Sequence, residues 1–205
     1  MAVNPEPVQR QVGWFGGSFD PPHLAHLALA RSALAALQLQ QLRWVVAGQP
    51  WQKAGRKLAA AEHRAAMVAA LIEDQPDMRL DDCELRRTGP SYTLESVQQH
   101  LQAHPQDRLW LILGQDQLQG LPSWYGWQEL LRLVAVAVAV RGSETIELPP
   151  AVRQQQPTWV RLPLAFMDLS STAVRQAATA GEDLAPIVGA QVAGYIARHR
   201  LYREY

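Results

Sequence analysis

The run Val134-Ala135-Val136-Ala137-Val138-Ala139-Val140 constrains the fold of this 205-residue chain most, because it is apolar on both faces of a strand. A strand with one wet face alternates apolar and polar residues, whereas this one needs helices above and below it, as in a parallel sheet. Short runs at Val12–Phe15, Leu42–Ala47, Leu109–Leu113 and Thr158–Leu162 read as further strands, and Met78–Leu85 contains another. Helical spacing and alanine content predict helices from His23 to about Leu39, over Ala60–Ile72, from Thr93 to about Ala103, up to about Ala180, and as a closing amphipathic helix over Pro186–Arg200. Ser91 and Thr93 are candidate caps for the third of these, and Gly142–Pro157 reads as a connection.

About five strands alternating with helices predict an α/β fold with right-handed crossovers, its parallel sheet covered on both faces, of the Rossmann-like nucleotide-binding kind. With 48% apolar residues the chain can bury a full core, and it reads as one domain over 11–205 after a flexible tail over 1–10. The longest apolar run, Leu133–Val140, is far short of the roughly 20 residues that span a bilayer. No signal-peptide core opens the chain, so no membrane is expected. A single cysteine, Cys83, allows no internal disulfide and suits a reducing cytoplasm; its thiol is expected to be inert. Lys plus Arg equals Asp plus Glu at 19 each, so no global field recruits nucleic acid, and any phosphate site must be local. Oligomeric state is left open by the sequence.

Such a local site is written into Gly16-Gly17-Ser18-Phe19-Asp20-Pro21-Pro22-His23-Leu24-Ala25-His26. Two glycines at a strand end let backbone approach a ligand, and the prolines set the chain into a helix. The N-terminus of that helix attracts anions through unpaired N–H groups and the positive end of its dipole. His23 and His26 share one helix face, so two imidazoles can reach one polyphosphate. A plain turn, or half a zinc site, are the alternatives; one cysteine and no acidic partner at helical spacing argue against zinc, so no resident metal is expected. A second helix start, Leu169-Ser170-Ser171-Thr172-Ala173-Val174-Arg175, brings hydroxyls and a guanidinium together, although Ser and Thr there are most often simple caps.

Three further features lie near strand ends, where open α/β sheets bind ligands. Asp116 in Gly114-Gln115-Asp116 is placed to reach a ribose or to cap a turn. The loop over 48–60 carries Lys53, Arg56 and Lys57, which also fit a solvated basic loop. Trp124, Tyr125 and Trp127 crowd a Pro- and Gly-containing loop, so one aromatic is expected to face a ligand, with a satellite apolar cluster as the alternative.

The first motif resembles the GGTFDPxHxGH signature of nucleotidylyltransferases, and specifically that of the bacterial nicotinate-nucleotide adenylyltransferases. Ser18 stands in place of the usual Thr, and Ala25 in place of the Gly between the histidines. Leu169–Arg175 is similar to the family's ISSTxIR. Gly114-Gln115-Asp116 and Pro122-Ser123-Trp124-Tyr125 resemble its GxD and P-T/S-W-Y loop, and Arg86–Thr93 resembles its R-x-x-P-S-Y-T segment. The resemblance covers most of 12–203 and includes His63-Arg64, while Pro50-Trp51-Gln52-Lys53 departs from the commoner PPHK.

This likeness implies a nucleotidyltransferase that moves AMP from ATP, with Mg²⁺, to nicotinate mononucleotide. It implies that Gly16, Gly17, Ser18, Phe19, His23, His26, Gly114, Asp116, Ser171, Thr172 and Arg175 hold ATP. His23, His26 and Arg175 would act on the phosphates, and Lys53, Tyr92, Thr93, Trp124 and Tyr125 would hold the acceptor. A phosphopantetheine-type transferase shares the histidine and Ser-Ser-Thr motifs but does not call for the aromatic acceptor loop. An inactive nucleotide-binding regulator, suggested by Ala25, is opposed by the retained histidines and Arg175.

Overall fold

The computed structural model describes residues 9–50, 58–140, 145–163, 167 and 169–203. Its sheet has six parallel strands: β1 (Arg10–Gly17), β2 (Gln41–Val46), β3 (Met78–Asp81), β4 (Asp107–Gly114), β5 (Val134–Ala139) and β6 (Trp159–Leu162). Their order, β3-β2-β1-β4-β5-β6, reverses direction between β1 and β4. This is the doubly wound arrangement, in which the crevice outside the carboxyl ends of those two strands receives ligands. The helices are α1 (Leu24–Ala36), α2 (Ala61–Leu71), α3 (Thr93–Ala103), α4 (Gln115–Gly120), α5 (Trp127–Leu133), α6 (Pro150–Gln154), α7 (Ser171–Ala180), α8 (Ala185–Val188) and α9 (Ala190–Arg198).

The alternation within β5 shows why both faces are apolar. Ala135, Ala137 and Ala139 join the core beneath α1, α2, α7, α8 and α9, whereas Val134, Val136 and Val138 join the core beneath α3 to α6. On β4, Trp110 and Ile112 face the first core and Leu109, Leu111 and Leu113 the second. Each of these large side chains contributes about 1.5–3 kcal/mol by leaving water. The sheet is thus held between two separate apolar layers, and its carboxyl edge is the place left for chemistry.

Several boundaries differ from the sequence reading. β1 begins at Arg10, which the tail was expected to include; its guanidinium forms two bonds with Asp107, at 2.9 and 2.6 Å. β3 lies within the 78–85 stretch, as expected, and ends at Asp81, whose carboxylate accepts from the Cys83 N–H at 3.0 Å and from Arg43 at 2.8 Å, turning the chain. The 142–157 connection contains α6, started by Pro150 in the first turn, where a missing N–H costs nothing. The closing helix is two, since Gly189 at φ +84° separates α8 from α9. Neither Ser91 nor Thr93 caps α3; Tyr92 occupies that position without a side-chain bond. Cys83 is buried, and burial pushes its thiol up to about 12, so it stays protonated and inert.

Candidate active site

The glycines of the first motif have different reasons to be glycine. A Cβ on Gly17 would come within 2.9 Å of the Phe19 ring, which tucks beneath the turn with its own backbone at φ +48°. A Cβ on Gly16 would meet no protein atom within 4 Å, because the space above it is cavity. After the cis peptide between Asp20 and Pro21, His23 becomes the extended N-cap of α1. Its N–H donates to Nδ1 of His26 at 3.2 Å, and the two rings stack 3.7 Å apart. An Nδ1 that accepts puts the hydrogen of a neutral His26 ring on Nε2. His23 is 5% exposed, and burial lowers its imidazole to about 4, so it is neutral at ordinary pH. No acidic side chain occupies the first turn of α1, leaving its positive end uncompensated.

The second helix start is tied to the first. Ser170 caps α7 by accepting from the Ala173 N–H at 3.1 Å, which confirms the ordinary capping alternative for that hydroxyl. Ser171 donates to the Pro21 carbonyl at 2.9 Å. Arg175 donates to the Asp20 carbonyl at 2.8 Å and to Thr172 Oγ1 at 3.3 Å, so part of its guanidinium is committed to holding the turn. Thr172 is exposed on the first turn of α7, and neither it nor Arg175 is among the residues lining the cavity that Ser171 borders. The two helix N-termini therefore converge as one assembly.

Two cavities open at the carboxyl edge of β1 and β4. One, of about 530 Å³, lies over the Gly16–Phe19 turn, both histidines, Ala25, Gly114, Asp116 and Ser171. The other, of about 600 Å³, is bounded by Tyr92, Thr93, Trp124, Tyr125, Ser91 and Glu84. Gly16, Gly17, Ser18, Asp116 and Gln117 line both. Asp116 is exposed in the first turn of α4, where Gln117 Oε1 accepts the Gly114 N–H at 3.2 Å. Asp116 is therefore not used as a cap.

In the second cavity, Tyr92 and Tyr125 pair their rings at 4.5 Å, and Tyr125 is 56% exposed. Trp124 lines the cavity while packing its other side on the core beneath α3 to α6. The apolar-cluster reading thus holds for Trp124 and Trp127, while Trp124 and Tyr125 also border the cavity. Because α3 has no side-chain cap, its first-turn N–H groups at the cavity have no intrahelical acceptor. Lys53 lies outside the described residues.

Sequence reasoning missed the groups that hold these loops in place. Arg64, 2% exposed on α2, donates to the carbonyls of Ala59 at 2.9 Å, Ser18 at 2.8 Å and Gly48 at 3.2 Å. A Cβ on Gly48 would lie 2.4 Å from the Glu84 carbonyl. Ser91, expected as a cap, instead accepts from the Gln49 N–H at 3.1 Å, joining the loop after β2 to the start of α3. Buried Glu84 accepts from Ser96 at 2.7 Å beneath the same cavity. Asp20 is fully buried, bonded to the Ala59 N–H at 3.1 Å and the Tyr202 hydroxyl at 2.7 Å. The signal for Arg64 was the His63-Arg64 pair of the family resemblance, which carried no role with it; Tyr202 carried none.

A strand-to-helix junction at the reversal point of such a sheet, with two cavities meeting over it, is the arrangement of the Rossmann-like nucleotide-binding class. The chain matches the cytidylyltransferase-like family over residues 14–177. A protein of Methylibium petroleiphilum named a probable nicotinate-nucleotide adenylyltransferase is 43% identical over 201 residues, covering 95% of this chain and 93% of the relative. One of the same name from Albidiferax ferrireducens is 40% identical over 199 residues, covering 95% and 98%. A solved structure, the Plasmodium falciparum nicotinic acid mononucleotide adenylyltransferase complexed with NaAD, shares the fold with a TM-score of 0.77. It has 19% identity, covering 95% of this chain and 98% of that one. The chain belongs to the nicotinate-nucleotide adenylyltransferase family within the cytidylyltransferase-like proteins.

Proposed function

We propose that this protein transfers AMP from ATP to nicotinate mononucleotide, forming nicotinate adenine dinucleotide and pyrophosphate in NAD biosynthesis. The observation that carries the reading is the pair of cavities meeting over Gly16–Ser18 and Asp116. Two nucleotides seated there would bring an acceptor phosphate against a triphosphate. An oxygen of the acceptor's 5′-phosphate bonds to the α-phosphorus as the bond to the β-bridging oxygen breaks, and pyrophosphate leaves with that electron pair. The attacking oxygen is already ionised, so no protein base is required. Catalysis rests on alignment and on donors aimed at developing charge.

Within this reading, His26 Nε2–H and the backbone N–H groups at Ser18 and Phe19 hold the α-phosphate. Neutral His23 lies beside the outer phosphates, with Ser171, Thr172 and Arg175 at the pyrophosphate end. Gly114 and Asp116 serve the ribose. Trp124 stacks on the pyridine ring, while Tyr92, Thr93 and Tyr125 surround its carboxylate; Lys53 is assigned to the acceptor by resemblance alone.

A metal ion accompanies ATP in this family, and we infer Mg²⁺. Among the described residues no group of three or more His, Cys, Asp or Glu could hold a metal, which does not count against Mg²⁺, an ion that keeps several waters and is bound largely through substrate phosphates. It would neutralise phosphate charge when bound; Asp116 is the exposed carboxylate common to both cavities. Among the described residues no helix is long and apolar enough to cross a membrane, and a cytoplasmic location suits the buried free thiol. Incubation with ATP, Mg²⁺ and in turn nicotinate mononucleotide, nicotinamide mononucleotide and phosphopantetheine, with pyrophosphate measured, tests the reading. Release with the nicotinate nucleotide above the others supports it; release only with phosphopantetheine overturns it.

A further inference from the structure

We infer that Tyr202, in the last turn of the described chain, is a positioning residue for the triphosphate half of the site, acting through Asp20 on Arg175. The inference deepens the proposed function and rests on it for the identity of the nucleotide. Asp20 sits in the turn that leads into α1, and its carboxylate is fully buried. A buried carboxylate persists only when bonds replace its water. Two bonds converge on Oδ1, from the Tyr202 hydroxyl at 2.7 Å and the Ala59 N–H at 3.1 Å. They direct Oδ2 towards Arg175, whose Nη1 lies 3.8 Å away while bonding the Asp20 carbonyl at 2.8 Å.

Tyr202 is held as firmly as the group it orients. It is 7% exposed and packs into the core beneath α1, α2, α7, α8 and α9. Its carbonyl accepts from Thr179 at 3.0 Å, and Thr179 lies on α7, the helix that carries Arg175. Its backbone sits at φ +61°, a left-handed conformation that a tyrosine adopts only where surrounding contacts enforce it. The hydroxyl thus closes a loop of contacts running from α7 through Tyr202 and Asp20 to Arg175, back on α7. Removing it loosens the carboxylate, and with it the guanidinium that the proposed function places at the pyrophosphate end. Tyr202, Asp20 and Arg175 are not among the residues bounding the acceptor cavity, and they tie to the first cavity through Ser171, which opens the same helix as Arg175.

The test is Tyr202→Phe, which deletes one hydroxyl and keeps the ring. Binding of the non-hydrolysable α,β-methylene analogue of ATP with Mg²⁺ is measured by calorimetry without acceptor, so the result does not depend on which acceptor the enzyme uses. The expected outcome is a Kd about tenfold weaker than wild type, the scale of one bond to a charged group. In steady state, KM for ATP rises while KM for nicotinate mononucleotide stays within twofold. A Kd within twofold of wild type overturns the inference whether or not the melting temperature falls, as does an equal rise in both KM values. Asp20→Asn is the second variant and covers a Phe variant that fails to fold. Placing an amide before Arg175, it should also weaken analogue binding, and analogue affinity within twofold of wild type in that protein refutes the path. Wild-type analogue binding without pyrophosphate release on any acceptor would instead count against the proposed function and leave this comparison intact.

Discussion

Replacing His26 separates a task the structure shows, accepting the His23 N–H, from one that the proposed function gives to the same ring. Its Nδ1 accepts the His23 N–H at 3.2 Å, which satisfies a donor at the start of α1. Its Nε2–H is the group assigned to the α-phosphate. His26→Ala loses both. The lost cap costs about 1 kcal/mol, which for a chain of this length lowers the melting temperature by about 2–4 °C. The lost phosphate donor lowers kcat by about a hundredfold or more. His26→Glu keeps an acceptor at the third helical position, in the place a capping box uses, and adds a negative charge favourable to the helix dipole. Its melting temperature should return to within about 2 °C of wild type. Its kcat should fall below that of the Ala variant, because a carboxylate repels phosphate. Thermal melts and pyrophosphate release on the same preparations provide the comparison. A Glu variant that turns over as fast as the Ala variant, or an Ala variant with wild-type kcat, refutes the assignment.

His23 should make the protein acid-sensitive: the unfolded imidazole binds a proton below about pH 6.5, while the buried one resists until about 4. Stability is therefore level above that window and falls through it by up to about 3 kcal/mol, a component that melting curves of His23→Gln against pH should lack. Gly48→Ala drives a Cβ to 2.4 Å from the Glu84 carbonyl and should destabilise by about 2 kcal/mol, whereas Gly16→Ala meets nothing and should leave the melting temperature unchanged while raising KM for both substrates. Equal melting temperatures for those two variants would contradict the cavity assignment. Ala25→Gly should lower KM for ATP, since the methyl lines the cavity that the proposed function gives to ATP, at a helix cost of up to about 1 kcal/mol; an unchanged KM means the backbone already accommodates it.

How far the sequence could be read follows from where each signal lives. The valine and alanine run, the two glycines before Asp-Pro-Pro and the hydroxyls before Arg175 are local patterns, and they mark β5, the α1 junction and the start of α7 where the structure has them. Gly48, Glu84 and Ser91 acquire meaning only because the loop after β2 lies against the start of α3, a juxtaposition created by parallel crossovers. Arg64 and Tyr202 bond groups 46 and 182 positions away, so no window of sequence could pair them. Gly189 was hidden by an amphipathic pattern that continues across the break. His26 was expected only to face a ligand; its second role follows from the extended backbone of His23, which periodicity does not report.

The most direct measurement is kcat/KM for nicotinate and nicotinamide mononucleotides at saturating ATP. In the proposed function, the start of α3, which has no side-chain cap, and the backbone by Tyr125 would offer N–H donors to the pyridine substituent. A carboxylate satisfies two such donors, whereas an amide turns its own NH₂ towards one of them. An unsatisfied buried donor costs about 1–3 kcal/mol, so the acid should be preferred by roughly tenfold to a hundredfold. Trp124→Ala should reduce use of both acceptors alike, because stacking does not sense the substituent. Equal values for the two acceptors, or no pyrophosphate release with the nicotinate nucleotide, would contradict the account.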